Sequence, residues 1–186
     1  MEKILTIIFL IVLFILPTSV HASQEAGSSA TLSPQMTEAS VDAYVERSIK
    51  RMVISEVLNK YNAPLASEVD GFVNACTTHD IDCYLLPSIA GLESSFGKFT
   101  HPESHNPFGW GGGYLMFDTW EDGFMAVAKG LSENYIARGA DTIEKMGPIY
   151  AASPTWAQRV RYFHNEFERV ESEKKGYFKK LALASQ

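Results

Sequence analysis

Residues 85–118, LLPSIAGLESSFGKFTHPESHNPFGWGGGYLMFD, join two kinds of sequence that differ in period. In the first, Leu85, Ile89, Leu92 and Phe96 recur at i, i+4, i+7 and i+11, the spacing of one buried helical face. Pro87 is tolerated only near a first helical turn, which puts the start of this helix close to Tyr84. Glu93 falls four residues after Ile89, at the edge of the stripe, followed by Ser94 and Ser95. Carboxylates are rarely buried without a partner or a purpose, so partial desolvation and a raised pKa are expected there, as a general acid requires. In the second part, from Ser95 to Asp118, no period holds. Phe108-Gly109-Trp110 and Tyr114-Leu115-Met116-Phe117 flank three glycines, which predicts a short hairpin or an irregular lobe.

The flanking chain is helical by pattern. Val45, Ile49, Met52, Val53, Val57 and Leu58 line a helix over residues 41–61, ended by Asn62-Ala63-Pro64. A second helix, 66–78, carries Val69, Phe72, Val73 and Cys76. Asp80 and Asp82 are suited to cap the third, the one leading to Glu93. Beyond the glycines, Asp118 or Thr119 caps a helix with Trp120, Phe124, Val127, Leu131 and Tyr135, stopped at Arg138-Gly139. Asp141 and Glu144 have capping-box spacing for a short helix ending at Tyr150. Ser153-Pro154 opens the last helix, with Trp156, Val160, Phe163, Phe167 and Val170 on its inner face. The expected fold is mainly α, a helical domain over residues 41–173 with one small irregular or β-hairpin lobe.

The ends of the chain read differently. Lys3, an apolar run over 4–16, Pro17 and small residues up to Ala22 form the pattern of a secretory signal peptide over residues 1–22. The run is short for a membrane span, which needs about 20 apolar residues, and an uncleaved anchor is the alternative. Residues 23–40 are small, polar and aperiodic, a disordered linker by composition. Residues 174–186 form a basic tail expected to fray. Export, to a secreted, periplasmic or cell-wall location, would make Cys76 and Cys83 a disulfide that fixes the joint before the third helix. Two separate buried thiols are the alternative.

Composition excludes several classes. With 186 residues, 46% hydrophobic and 20% charged, the chain suits one ordinary globular domain. Its net charge of −6 argues against a nucleic-acid partner and against simple electrostatic capture by an anionic wall or membrane. The glycines lack the Lys and Ser/Thr of a phosphate loop. His101-Pro102-Glu103-Ser104-His105 is not a helical metal motif, because Pro102 breaks the geometry, so no metal and no cofactor are expected. An acid at a helix end, facing an aromatic lobe, suits a glycan: sugar rings stack on aromatic faces and a few amides orient them. Ser94, Ser95, Asn106, Phe108, Gly109, Trp110, Tyr114 and Phe117 are the candidate substrate contacts.

Three segments carry a resemblance. Ile81-Asp82, Leu85-Leu86, Ile89-Ala90 and Glu93-Ser94-Ser95-Phe96-Gly97 resemble the opening of the lysozyme-like superfamily, shared by lytic transglycosylases and bacterial glucosaminidases. Asn106-Pro107-Phe108-Gly109 is similar to the Asn-Leu-Phe-Gly element of the glucosaminidase branch. Residues 150–157, YAASPTWA, resemble that branch's Tyr-Ala-Thr-Asp-Pro-x-Tyr-Ala segment. The three occur in order over about residues 65–170. The resemblance implies cleavage of β-1,4 bonds between N-acetylated sugars of peptidoglycan strands, with Glu93 as acid and Tyr150 as a catalytic-cleft residue. Two departures stand against it. The transglycosylase Gly-Leu-Met-Gln element is absent. The hairpin that often brings a second carboxylate is cut to GGGYLMFD, leaving Glu103, Asp118, Glu121 and Asp122 as the nearest acids. Hydrolysis with one acid, transglycosylation, and a glycan-docking module without chemistry all remain open on this pattern, as does oligomeric state.

Overall fold

The computed structural model describes residues 37–184; the signal-peptide segment and most of the linker lie outside them. The described residues are mainly helical and contain no strand. Six α-helices run in chain order: α1 Glu38–Lys60, α2 Val69–His79, α3 Leu85–Ser94, α4 Trp120–Asn134, α5 Ile143–Tyr150 and α6 Trp156–Ala184. Short 3-10 turns at Pro64–Ser67, Trp110–Gly113 and Ile136–Arg138 link them. The glycine-rich segment therefore takes the irregular alternative. Gly109, Gly111, Gly112 and Gly113 all have positive φ, so the backbone curls on itself instead of extending into a hairpin.

The helices start where short polar side chains satisfy free amides. Thr37 accepts from the Ser40 N–H, Thr119 from Asp122 and Thr142 from Lys145. α1 accordingly begins at Glu38, inside the segment expected to be linker. α5 is capped by Thr142 rather than Asp141, whose carboxylate instead binds the Lys145 side chain at 2.6 Å. Glu144, expected to complete a capping box, is held by Arg161. Asp80 closes α2 in the left-handed region, φ 50°, while Asp82 accepts the Tyr84 N–H at 2.8 Å at the entry to α3. α6 starts at Trp156, two residues after Pro154, and continues unbroken through the basic stretch expected to fray.

α3 is the buried axis. Leu85, Leu86, Ile89 and Ala90 are all in the core, and α6 lies along it. α2 packs on α4, with Phe72 stacked on Phe124 at 4.1 Å between centroids. α1 closes the other side of α6 through Val53, Val57 and Leu58. Cys76 at the end of α2 is bonded to Cys83 just before α3. The bond ties the helix that packs on α4 to the helix that carries Glu93.

Candidate active site

α3 ends abruptly, and the way it ends aims Glu93. Ser95 and Phe96 both adopt left-handed φ values, 50° and 59°, followed by Gly97 at 89°. Two successive non-glycine residues in that region are strained and persist only where their surroundings hold them. Ser94 supplies one hold. Its buried hydroxyl accepts the Gly97 N–H at 2.9 Å and lies 3.0 Å from the Ala90 carbonyl and 2.8 Å from that of Pro107. Phe96 supplies the other, buried between Tyr61 and Phe163 with ring centroids 4.8 and 5.2 Å away. Gly91 makes room for it, since a Cβ there would stand 2.7 Å from the Phe96 ring. Phe96 thus reaches the core from the turn after α3, not from the helical stripe.

Glu93 emerges on the solvent side of this turn and is exposed, so the desolvation expected from the stripe is not its environment. Its carboxylate is nevertheless fixed. The Trp156 indole N–H donates to Glu93 Oε1 at 2.7 Å. Trp156 is only 3% exposed and cannot swing away. Beside Oε2 stands Gly109: a Cβ there would lie 3.6 Å from the oxygen, and φ is 62°. A longer side chain at this position would cover the carboxylate.

An aromatic cleft of about 360 Å³ adjoins the acid, lined by Gly109, Trp110, Gly111, Gly112, Tyr135 and Tyr150. Tyr150 stacks on Trp156 at 4.6 Å and donates its hydroxyl to the Phe108 carbonyl at 2.8 Å. Trp110 sits 5.7 Å from Tyr150 and 6.0 Å from Tyr135, ring centre to ring centre. Burial, then the Glu93 charge and neighbouring Tyr135, hold the Tyr150 phenol well above its ordinary range. It stays neutral, an orienting donor rather than a base. Gly130 on α4 seats Trp110, because a Cβ there would lie 2.5 Å from the indole.

The other expected contacts divide. Ser95 is exposed beside Glu93 and Tyr114 is exposed on the loop. Ser94 and Phe108 are buried, Ser94 as the turn's rivet and Phe108 edge-on to Phe124 in the core. Asn106 is also turned inward: its amide donates to the Trp110 and Leu115 carbonyls at 2.9 and 3.0 Å, and its oxygen accepts the Trp110 N–H at 3.0 Å. These three side chains build the loop and are not free for a sugar. Phe117 packs toward Gly123 on α4. Of the nearby acids, Asp122 is bound by the Thr119 hydroxyl at 2.7 Å, and Glu121 accepts from Asn74 at 3.1 Å. His101 and His105 bond to the carbonyls of Pro102 and Phe117 within the loop.

Two participants lay hidden in core stripes. Trp156 reads as an inner-face residue of the last helix, and Tyr135 as the end of another stripe. The local hints for Trp156 are an aromatic directly after a capping Ser-Pro-Thr and its place in the resembling segment 150–157. Nothing local marks Tyr135. Comparison with models of known protein families and with curated proteins finds no match for the chain.

Proposed function

We propose that this chain is an exported glycosidase of lysozyme-like type that cuts β-1,4 bonds between N-acetylated sugars of peptidoglycan. One observation carries the reading: a carboxylate held by a buried indole N–H, opening past a bare glycine onto a cleft of Trp and Tyr rings. Sugars present apolar faces to such rings, and a lining of glycines, Trp110, Tyr135 and Tyr150 with no charged side chain suits stacking and hydrogen bonding over charge recognition. The order of the three resembling segments supports the same assignment.

In this mechanism Glu93 gives its proton to the glycosidic oxygen as the bond to the anomeric carbon breaks. Trp156 holds Oε1, leaving Oε2 on the Gly109 side to face the leaving oxygen. In this reading the positive charge that develops on the sugar is met by the substrate's own acetamido or 6-hydroxyl group; Glu121 and Asp122 are engaged around the start of α4, and Glu103 and Asp118 are exposed. Glu93, now a carboxylate, takes the proton of the attacking group: attack by the 6-hydroxyl leaves an anhydro-sugar end, and attack by water on the acetamido-stabilised centre leaves a reducing end.

Incubation of the protein with purified peptidoglycan tests the reading. Soluble muropeptides are expected from the wild type, and Glu93→Gln is expected to lower their release by about 10²–10⁴-fold. Product mass separates the two outcomes of the second step. No release by the wild type, or equal release by Glu93→Gln, rejects the assignment. Binding to glycan without turnover would place the chain among docking modules instead.

A further inference from the structure

The first turns of α1 and the last turns of α6 form a second feature, unrelated to the Glu93 cleft. The two helices run antiparallel: Lys60 meets Glu166, Lys50 meets Glu171 at 2.9 Å and Glu46 meets Lys175 at 3.1 Å. Toward the helix ends, apolar residues continue beyond the core. Val41, Tyr44, Val45 and Met52 of α1 are exposed, as are Phe178, Leu181 and Leu183 of α6. Between the helices lies a groove of about 410 Å³, walled mainly by Tyr44, Val45, Ile49, Met52 and Phe178. Two neighbouring helices with an uncovered apolar seam are half of a four-helix arrangement.

The charges say what covers it. α1 carries Glu38, Asp42 and Glu46 at i, i+4 and i+8, whereas α6 carries Lys175, Lys179 and Lys180 with no acid after Glu173. Glu46 and Lys175 are paired within the chain, but Glu38, Asp42, Lys179 and Lys180 take part in no ion pair among the described residues. One patch therefore displays an acidic helix and a basic helix astride an apolar seam. Such a patch is complementary to itself when rotated by a two-fold axis, the requirement of an isologous dimer. An anionic bilayer would attract the lysines but repel the three α1 acids at the same end. It fits less well.

We propose that this end of the α1–α6 pair is a homodimer interface, in which the acidic edge of α1 in each copy meets the lysines of α6 in the other. The apolar residues would close into a shared seam, with the charged edges setting the antiparallel register, as flanking charges do in helical bundles.

Sedimentation velocity of the full chain over a range of concentrations tests this. Reversible dimerisation is expected for the wild type. The variant Glu38→Lys/Asp42→Lys and the variant Lys179→Glu/Lys180→Glu are each expected to self-associate more weakly by about tenfold or more. Mixing the two should restore association, because each then offers the other an opposite edge. Restoration separates pairing between copies from pairing within one. Val45→Glu/Phe178→Glu, at exposed positions, should give monomers whose helical circular dichroism is unchanged. A wild type that stays monomeric, a mixture that does not recover, or association unaffected by Val45→Glu/Phe178→Glu overturns the proposal. Monomeric protein that co-sediments with phosphatidylglycerol vesicles would also overturn it, assigning the patch to a lipid surface.

Discussion

At the residue scale, the centre of the site is one hydrogen bond. Trp156 is buried and its indole N–H is directed at Glu93, so the bond fixes the carboxylate without long-range electrostatics. Trp156→Phe keeps most of the stack on Tyr150 but removes the donor. It is expected to lower kcat on peptidoglycan by about tenfold or more while KM changes little, the pattern of a positioning residue. The cost in urea denaturation should be about 1.5–3 kcal/mol, the worth of a hydrogen bond to a carboxylate. Ser94 acts differently, since its hydroxyl satisfies the Gly97 amide and bridges to Pro107 across the loop. Ser94→Ala leaves those groups unpaired in a buried turn that is already strained, and about 1–3 kcal/mol of destabilisation is expected. Neither role can be read from a one-dimensional pattern. A serine after a glutamate looks like a substrate contact, and only the turn after α3 shows that it faces inward.

At the element scale, α4 decides the shape of the cleft by what it lacks. Gly130 lies inside the helix, where alanine would be favoured by about 0.8–1 kcal/mol from propensity alone. A Cβ there would nevertheless approach Trp110 to 2.5 Å, so steric displacement of the ring outweighs propensity at this site. Gly130→Ala is expected to raise KM for glycan, read from initial rates, and to lower the thermal midpoint despite the gain in helix propensity. The α2–α3 joint shows the opposite economy: a disulfide spanning seven positions fixes the entry to the acid-bearing helix. Cys76→Ala/Cys83→Ala should cost about 2–3 kcal/mol in the chain-entropy model, measured from denaturation midpoints.

At the scale of the whole molecule, α6 joins the parts. It contacts α1, α3 and α5, and carries Trp156 at one end and the proposed dimer patch at the other. Its acids hold α1 in place. Burial alone would raise Glu166 and Glu171, but hydrogen bonds from Lys60 and Tyr61 to the first, and from Lys50 and Lys175 to the second, pull both below the ordinary range. Asp82 is likewise raised by burial but lowered further by His164, which lies 2.6 Å away and links α6 to the start of α3. A carboxylate lowered in the folded state contributes stability that is complete above its unfolded pKa and is lost as pH falls through the folded value. The thermal midpoint should therefore decline below about pH 5, and Glu171→Gln should flatten that decline. An acid limb equally steep in Glu171→Gln would show that the α1–α6 pairs are not its source.

The sequence by itself determined the helical class, most helix boundaries to within a few residues and the position of Glu93 at a helix end, and it left the pairing of Cys76 with Cys83 open. These follow from local rules: apolar period, capping side chains and spacing along the chain. The tertiary structure decided the rest. It placed Glu93 in the open, held by an indole 63 residues away, and turned Ser94, Asn106 and Phe108 inward. It also brought Tyr135 and Tyr150 together with Trp110, and left an apolar seam uncovered at the far end of α6. A stripe records that a side chain leaves water. It does not record which neighbour receives it, because that depends on how helices distant in sequence cross, and here the crossing of α6 over α3 makes the site.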